Sequence, residues 1–252
     1  MCSFLFSSKL TDKSIDDLNY YLKLRGPDHT EKLEFNKCLF LHNLLSITGE
    51  FTPQPIVSDD IVAIYNGEIY NYKEFGDYDS DGKCLIPLYK EYGANFIKKL
   101  DGEFAICIVD FKKKIIVVSS DLFKTKPLFI GFNGKNVGVS TYKTPLEMMG
   151  YTVKTSDANT VHTISLKNGK IINQEKIYNF DLNQHKLTYD DWIRAFKKSI
   201  KKRLLNTDKN LFIGLSSGYD SGLIFNELVE NAHPFRCYSL TGTENENIID
   251  ER

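Results

Sequence analysis

Glu103-Phe104-Ala105-Ile106-Cys107-Ile108-Val109-Asp110, then Phe111-Lys112-Lys113, then Lys114-Ile115-Ile116-Val117-Val118-Ser119-Ser120, is the stretch on which the fold turns. Two β-prone apolar runs flank a lysine-rich turn, which predicts a pair of strands joined by a hairpin. Working towards the N-terminus, Asp81 to Tyr92 carries Leu85, Leu88 and Tyr92 at helical spacing, with Pro87 expected to limit or kink its first half. Ile61 to Tyr65 and Lys37 to Ile47 read as strands, the former stopping at a tight Asn66-Gly67 turn. Thr11 to Leu24 places Ile15, Leu18 and Leu22 on one face of a short amphipathic helix that ends before Arg25-Gly26-Pro27-Asp28. Working towards the C-terminus, Leu128 to Phe132, Asn136 to Ser140, Val161 to Leu166 and Lys170 to Gln174 supply further short strands, giving a strand-rich α+β domain.

Around Asn179 to Thr188 the sequence turns polar, and a boundary is expected there, with domains at 1–185 and 186–252. Beyond it Trp192, Phe196, Ile200 and Leu204 step by four along a basic helix. Leu211 to Leu215 reads as a strand, Ser216-Ser217-Gly218-Tyr219-Asp220-Ser221 as a small-residue turn, Gly222 to Glu230 as a helix and Phe235 to Leu240 as a second strand. Strand, turn, helix, strand is how a parallel α/β domain begins. Two strands and one full helix do not cover both faces of a parallel sheet, so a partner chain carrying the rest, or a homo-oligomer, is expected.

The chain has 252 residues with 32 Lys plus Arg against 33 Asp plus Glu, a balance that gives no electrostatic case for nucleic acid or an anionic membrane as partner. No apolar run approaches the roughly 18 residues of a membrane span, and no basic segment leads into an apolar one at the start. The five cysteines include no Cys-x-x-Cys pair and the histidines form no zinc-spaced cluster, so neither disulfides nor a metal site are expected, and a reducing, cytoplasmic setting fits. A small-molecule substrate is the reading that remains.

Cys2 is the candidate nucleophile. Removal of Met1 would leave a thiol and a free α-amine on one residue, and that amine titrates at about 7.7 to 8.0, so it can serve as the thiol's own base. The mature chain is therefore expected to begin at Cys2.

Met1-Cys2, Arg25-Gly26-Pro27-Asp28, Leu45-Ser46-Ile47, Gln54-Pro55, Asn66-Gly67-Glu68-Ile69-Tyr70-Asn71, Ser80-Asp81, Leu100-Asp101-Gly102-Glu103-Phe104-Ala105 and Lys126-Pro127-Leu128 follow one another in this order, and together they resemble the glutamine-hydrolysing asparagine synthetases. That resemblance spans nearly the whole chain. It implies an N-terminal-nucleophile fold of two antiparallel sheets between helical layers, acting as a class II glutamine amidotransferase, followed by the opening of an ATP-pyrophosphatase-type synthetase domain. It implies that Cys2 attacks glutamine with Asn66 and Gly67 as the oxyanion hole, and that Glu68, Asp81 and Arg25 bind the substrate. Ser216, Gly218, Asp220 and Ser221 would hold the ATP phosphates. ATP and Mg2+ would serve only the synthetase step, in which ammonia converts an activated aspartate to asparagine, and glutamine hydrolysis would need no cofactor.

Two departures from the family pattern stand out. Leu44 occupies the position where the family has an arginine gripping the glutamine α-carboxylate, a contact an apolar side chain cannot replace and whose loss is worth about 2 to 3 kcal/mol. Either glutamine binds weakly, or His42, Asn43 or another residue compensates, or the substrate lacks that carboxylate. Ser217 stands where the phosphate loop has glycine, which crowds the approach of a phosphate.

Overall fold

The computed structural model describes residues 2–205, 210–240, 242 and 244–251, and the chain divides into two compact units, Met1–Asp181 and Leu182–Arg252. Met1, on which the expected terminal processing bears, lies outside the described residues.

The Glu103–Ser120 stretch forms the expected antiparallel pair, with Ile106 opposite Ser119 and Ile108 opposite Val117. In chain order the first unit carries β1 (Ser3–Ser7), β2 (His29–Phe35), β3 (Cys38–Leu44), β4 (Ile56–Ser58), β5 (Ile61–Ile69), β6 (Gly102–Asp110), β7 (Ile115–Ser120), β8 (Phe129–Asn133), β9 (Asn136–Ser140), β10 (Thr152–Thr155), β11 (Thr160–Ser165) and β12 (Ile171–Lys176). Its helices are α1 (Ile15–Asn19), α2 (Leu85–Tyr92) and α3 (Lys143–Met148). The strands form two six-stranded sheets, ordered β10-β8-β9-β1-β3-β2 and β12-β11-β7-β6-β5-β4, with antiparallel pairing throughout.

Alternation along each strand builds three apolar layers. Phe4 and Phe6 of β1 meet Phe40, Ile64, Cys107, Val109 and Val118 between the sheets. Leu5, on the opposite face of β1, packs with Leu39 and Leu41 against Leu18, Leu22, Leu146 and Met149. On the far side of the second sheet Tyr65, Phe104, Ile106 and Ile108 pack against Leu85, Leu88, Tyr89 and Phe96. Helices therefore cover both outer faces and the sheets face each other, which is the layering that the family resemblance implies.

Several local expectations are corrected. Asn66-Gly67 is not a turn: both residues lie inside β5, opposite Ala105 and Phe104 of β6. The helix expected over Thr11 to Leu24 is cut to Ile15–Asn19, capped by the Ser14 hydroxyl accepting from Asp17 N–H, and followed by a 3-10 turn at Lys23–Arg25. Asn19 is the reason: its amide exchanges hydrogen bonds of 3.1 and 2.8 Å with the Asn43 amide on β3, which fixes the helix end by tertiary contact. Pro87 does not kink its helix, because a 3-10 turn at Asp81–Cys84 precedes α2 and Pro87 falls in the first turn, where no backbone N–H is needed. The polar strand β2 was not visible in the sequence. It forms a hairpin with β3 through Asn36-Lys37, both at positive φ (49° and 63°), as a two-residue turn between twisted strands requires.

The second unit contains α4 (Asp190–Leu205), β13 (Leu211–Gly214), α5 (Tyr219–Glu230), β14 (Phe235–Tyr238) and α6 (Glu246–Asp250). β13 and β14 are parallel, with Ile213 opposite Cys237. Ile200, Ile213 and Leu228 form a small core, supported by Phe196, Leu204, Ile224, Phe225 and Phe235. α4 places Asp190 and Asp191 in its first turn and Lys202 and Arg203 in its last, matching the helix dipole. Among the described residues no helix is long and apolar enough to cross a membrane.

Candidate active site

β1 is an inner strand, paired with β9 on one edge and β3 on the other, and Cys2 stands immediately before it. Cys2 is buried; Leu45 N–H donates to its Sγ at 3.3 Å, and Arg25 Nε donates to its carbonyl oxygen at 3.1 Å. Burial pushes the thiol above its usual range and the Leu45 N–H pulls it back. A catalytic thiolate here therefore needs a base, which the α-amine of an N-terminal cysteine would supply.

Facing Cys2 across the interlayer are Asn66 and Gly67 of β5. They share a recess of about 60 Å3 with Cys2, Leu45 and Glu68. Asn66 is fully buried, and neither Nδ2 nor Oδ1 has a hydrogen-bond partner. A buried amide left unpaired costs about 1 to 3 kcal/mol, a cost that an arriving ligand oxygen would relieve. Gly67 sits at φ +152°, and a Cβ there would lie 2.1 Å from the Glu103 carbonyl oxygen. Only glycine lets β5 run this close to β6, and the approach is what places Asn66 over the recess.

A second recess, about 20 Å3, opens on the other side of Cys2 and includes Leu44, Thr48, Glu50, Glu68 and Asp81 in its wall. That is room for roughly one water, and the coil at Leu45–Ile47 forms part of its wall. Asp81 is not a surface carboxylate: it is buried, and accepts from Tyr65 O–H at 2.6 Å, Ile69 N–H at 2.8 Å and Gly82 N–H at 2.8 Å. Its pKa is nevertheless raised by burial, against the pull of those donors. Glu68 Oε2 is buried without a partner. Burial, followed by the neighbouring Asp81 charge, lifts the Glu68 carboxyl to about 7.

The structure thus gathers Cys2, Asn66, Gly67, Glu68 and Asp81 in one place. Arg25 is on the carbonyl side of Cys2, where its Nη1 donates to Tyr142 O–H at 3.2 Å, and it does not line either recess. His42 and Asn43 do not compensate for Leu44. His42 is turned inward, with Nε2 3.1 Å from the Tyr65 carbonyl oxygen, and Asn43 is held by Ser3 and Asn19. Leu45 N–H, the Tyr65 hydroxyl and the Lys126–Glu103 pair at 3.2 Å were not singled out from the sequence. Backbone donors carry no residue-type signal, although Leu45 and Lys126 do lie within Leu45-Ser46-Ile47 and Lys126-Pro127-Leu128. A larger surface cavity of about 520 Å3, lined by Tyr21, Leu24, Phe129, Tyr142, Lys143 and Thr144, contains no cysteine.

In the second unit, Ser216 and Ser221 join through their hydroxyls at 2.8 Å, and Gly218 N–H donates to Ser216 Oγ at 3.2 Å. Asp220 lies in the first turn of α5. The N–H and hydroxyl of Ser217 both donate to one carboxylate oxygen of Glu244, at 2.6 and 2.5 Å, and hold that carboxyl below its usual range. Nothing in the sequence marks Glu244 as the partner of Ser217.

Two facing antiparallel sheets between helices, with a cysteine at position 2 set before an inner strand, define an N-terminal-nucleophile fold. Solved structures share it: glutamine phosphoribosylpyrophosphate amidotransferase from B. subtilis has a TM-score of 0.51 at 15% identity over 95% of this chain and 65% of that one. The allosteric regulatory enzyme of purine biosynthesis has a TM-score of 0.52 at 15% identity, over 94% and 64%. At that identity the likeness concerns the fold alone. Residues 1–181 match the glutamine amidotransferase domain family, and the chain belongs to that family as a class II domain of asparagine-synthetase type. A putative glutamine-hydrolysing asparagine synthetase of Methanocaldococcus jannaschii is 28% identical over 239 residues, 83% of this chain and 43% of the relative. The asparagine synthetase of Asparagus officinalis is 28% identical over 247 residues, 89% and 41%. The chain spans less than half the length of either relative.

Proposed function

We propose that this protein hydrolyses the side-chain amide of glutamine through Cys2. The observation that carries the reading is the unpartnered Asn66 amide beside the Cys2 thiol, next to the Gly67 N–H. In the Met-free chain the Cys2 amine takes the thiol proton and Sγ attacks the amide carbon. Asn66 Nδ2–H and Gly67 N–H receive the negative charge that develops on the amide oxygen, where preorganised donors lower the barrier most. The C–N bond breaks, the nitrogen leaves as ammonia with the proton from the amine, and a glutamyl thioester remains on Cys2. Water attacks the thioester, again with the amine as base, and releases glutamate with the thiol restored.

The ammonia would serve the ATP-dependent amidation of aspartate at a complete synthetase site. The Ser216–Ser221 loop fits an anion, since a carboxylate already rests on Ser217 at the N-terminal side of α5, and phosphate oxygens would take the same donors. ATP and Mg2+ belong to that step alone. Among the described residues no group of three or more His, Cys, Asp and Glu forms a metal cage, so Mg2+ would enter with the phosphates.

The test is ammonia and glutamate release from glutamine by protein whose intact mass shows Met1 absent. Release that disappears in Cys2→Ala supports the reading, and release that persists in Cys2→Ala overturns it.

A further inference from the structure

The charged side chains in the wall of the Leu44-side recess are Glu50, Glu68 and Asp81, and that wall contains no lysine or arginine. Nearby cations are engaged elsewhere: Lys126, in the adjoining recess, lies 3.2 Å from Glu103, and Arg25 holds the Cys2 carbonyl and Tyr142. At the position where the family resemblance implies a carboxylate-gripping arginine, the wall offers Leu44, itself buried. Glu68 Oε2 is buried without a hydrogen-bond donor, and burial first and the neighbouring Asp81 carboxylate second raise the Glu68 pKa against the opposing pull of Lys126, so two carboxyls crowd this wall. A ligand carboxylate would add one more negative charge to this group. A ligand ammonium would give the orphaned oxygen a donor and relieve the repulsion.

We infer that the Cys2 recess selects primary amides that carry an ammonium group and no free carboxylate, with Leu44 packing where the carboxylate of glutamine would lie. The inference rests on the amidotransferase reading and narrows its substrate class. The simplest such compound is 4-aminobutanamide, which is glutamine with the carboxylate replaced by hydrogen. Its hydrolysis follows the same course: Sγ displaces ammonia from the amide carbon, and water releases 4-aminobutanoate.

Three amides separate the charges: 4-aminobutanamide has the ammonium alone, L-glutamine has ammonium and carboxylate, and 5-amino-5-oxopentanoate has the carboxylate alone. With the Met-free protein, kcat/KM for ammonia release is expected to be about tenfold higher for 4-aminobutanamide than for L-glutamine and lowest for 5-amino-5-oxopentanoate. Leu44→Arg is expected to raise the value for L-glutamine and lower that for 4-aminobutanamide. Calorimetric binding of the same compounds to Cys2→Ala needs no turnover and is expected to give the same order. L-glutamine binding as tightly as 4-aminobutanamide, or no binding by either, overturns the inference. Hydrolysis that survives in Cys2→Ala, with the binding order intact, would instead sink the amidotransferase reading and leave the selectivity standing.

Discussion

Asn66 has a side chain whose worth to the fold and worth to the reaction have opposite signs. Its amide is buried and unpaired, so Asn66→Ala should leave thermal stability unchanged or slightly higher. With Asn66 as the oxyanion donor of the proposed reaction, the same change should lower kcat about 100- to 1000-fold with little effect on KM, as read by steady-state ammonia release together with a melting curve. Cys2, Asn66, Gly67 and Asp81 were visible in the sequence because their motifs name residue types. Leu45 N–H was not, since any residue supplies it, and neither was the Tyr65 hydroxyl. The sequence placed Tyr65 at the end of a strand; the structure continues that strand and turns the ring towards Asp81, away from the sheet face that carries Asn66.

At the level of elements, β5 shows how ladder pairing overrides local turn chemistry. Asn-Gly is a strong hairpin signal, yet β5 stays in register with β6 from Ile61 through Ile69, so the dipeptide lies within a ladder. The glycine is required for a different reason, the Glu103 carbonyl 2.1 Å from where a Cβ would sit. Gly67→Ala should cost about 3 kcal/mol of unfolding free energy. Gly134→Ala, at φ +57° with open space around it, should cost about 1 kcal/mol, and urea titration of the two variants measures the difference. Apolar strands such as β6 and β7 were legible because their composition alone marks them. β2 reads His-Thr-Glu-Lys-Leu-Glu-Phe, a polar edge strand defined by its partner β3 and by the Asn36-Lys37 turn, and nothing in its own residues announces it.

For the molecule as a whole, two buried groups set opposing dependences on pH. His42 titrates at about 4 in the fold against 6.5 as a free side chain, because burial disfavours its charged form. Between those values the unfolded chain binds more protons, so stability is lost as pH falls through the window, by about 3 kcal/mol in total. Glu68 stands at about 7 against 4.5, so the folded chain binds more protons between those values, and its contribution is lost as pH rises towards 7. The two slopes offset each other from pH 4.5 to 6.5. Glu68→Gln should expose the His42 slope, so that the urea midpoint climbs more steeply across that interval than in the unsubstituted protein. Strand composition marked the first unit as strand-rich α+β and the ordered motifs implied its layering through the family resemblance, whereas the opposing titrations depend on which side chains the two sheets enclose. β1, held on both edges and buried on both faces, has a consequence of its own: the aim of Cys2 is a property of an interior ladder, so a chain that has lost it has lost its interior, and the chemistry proposed for Cys2 lasts only as long as the fold does.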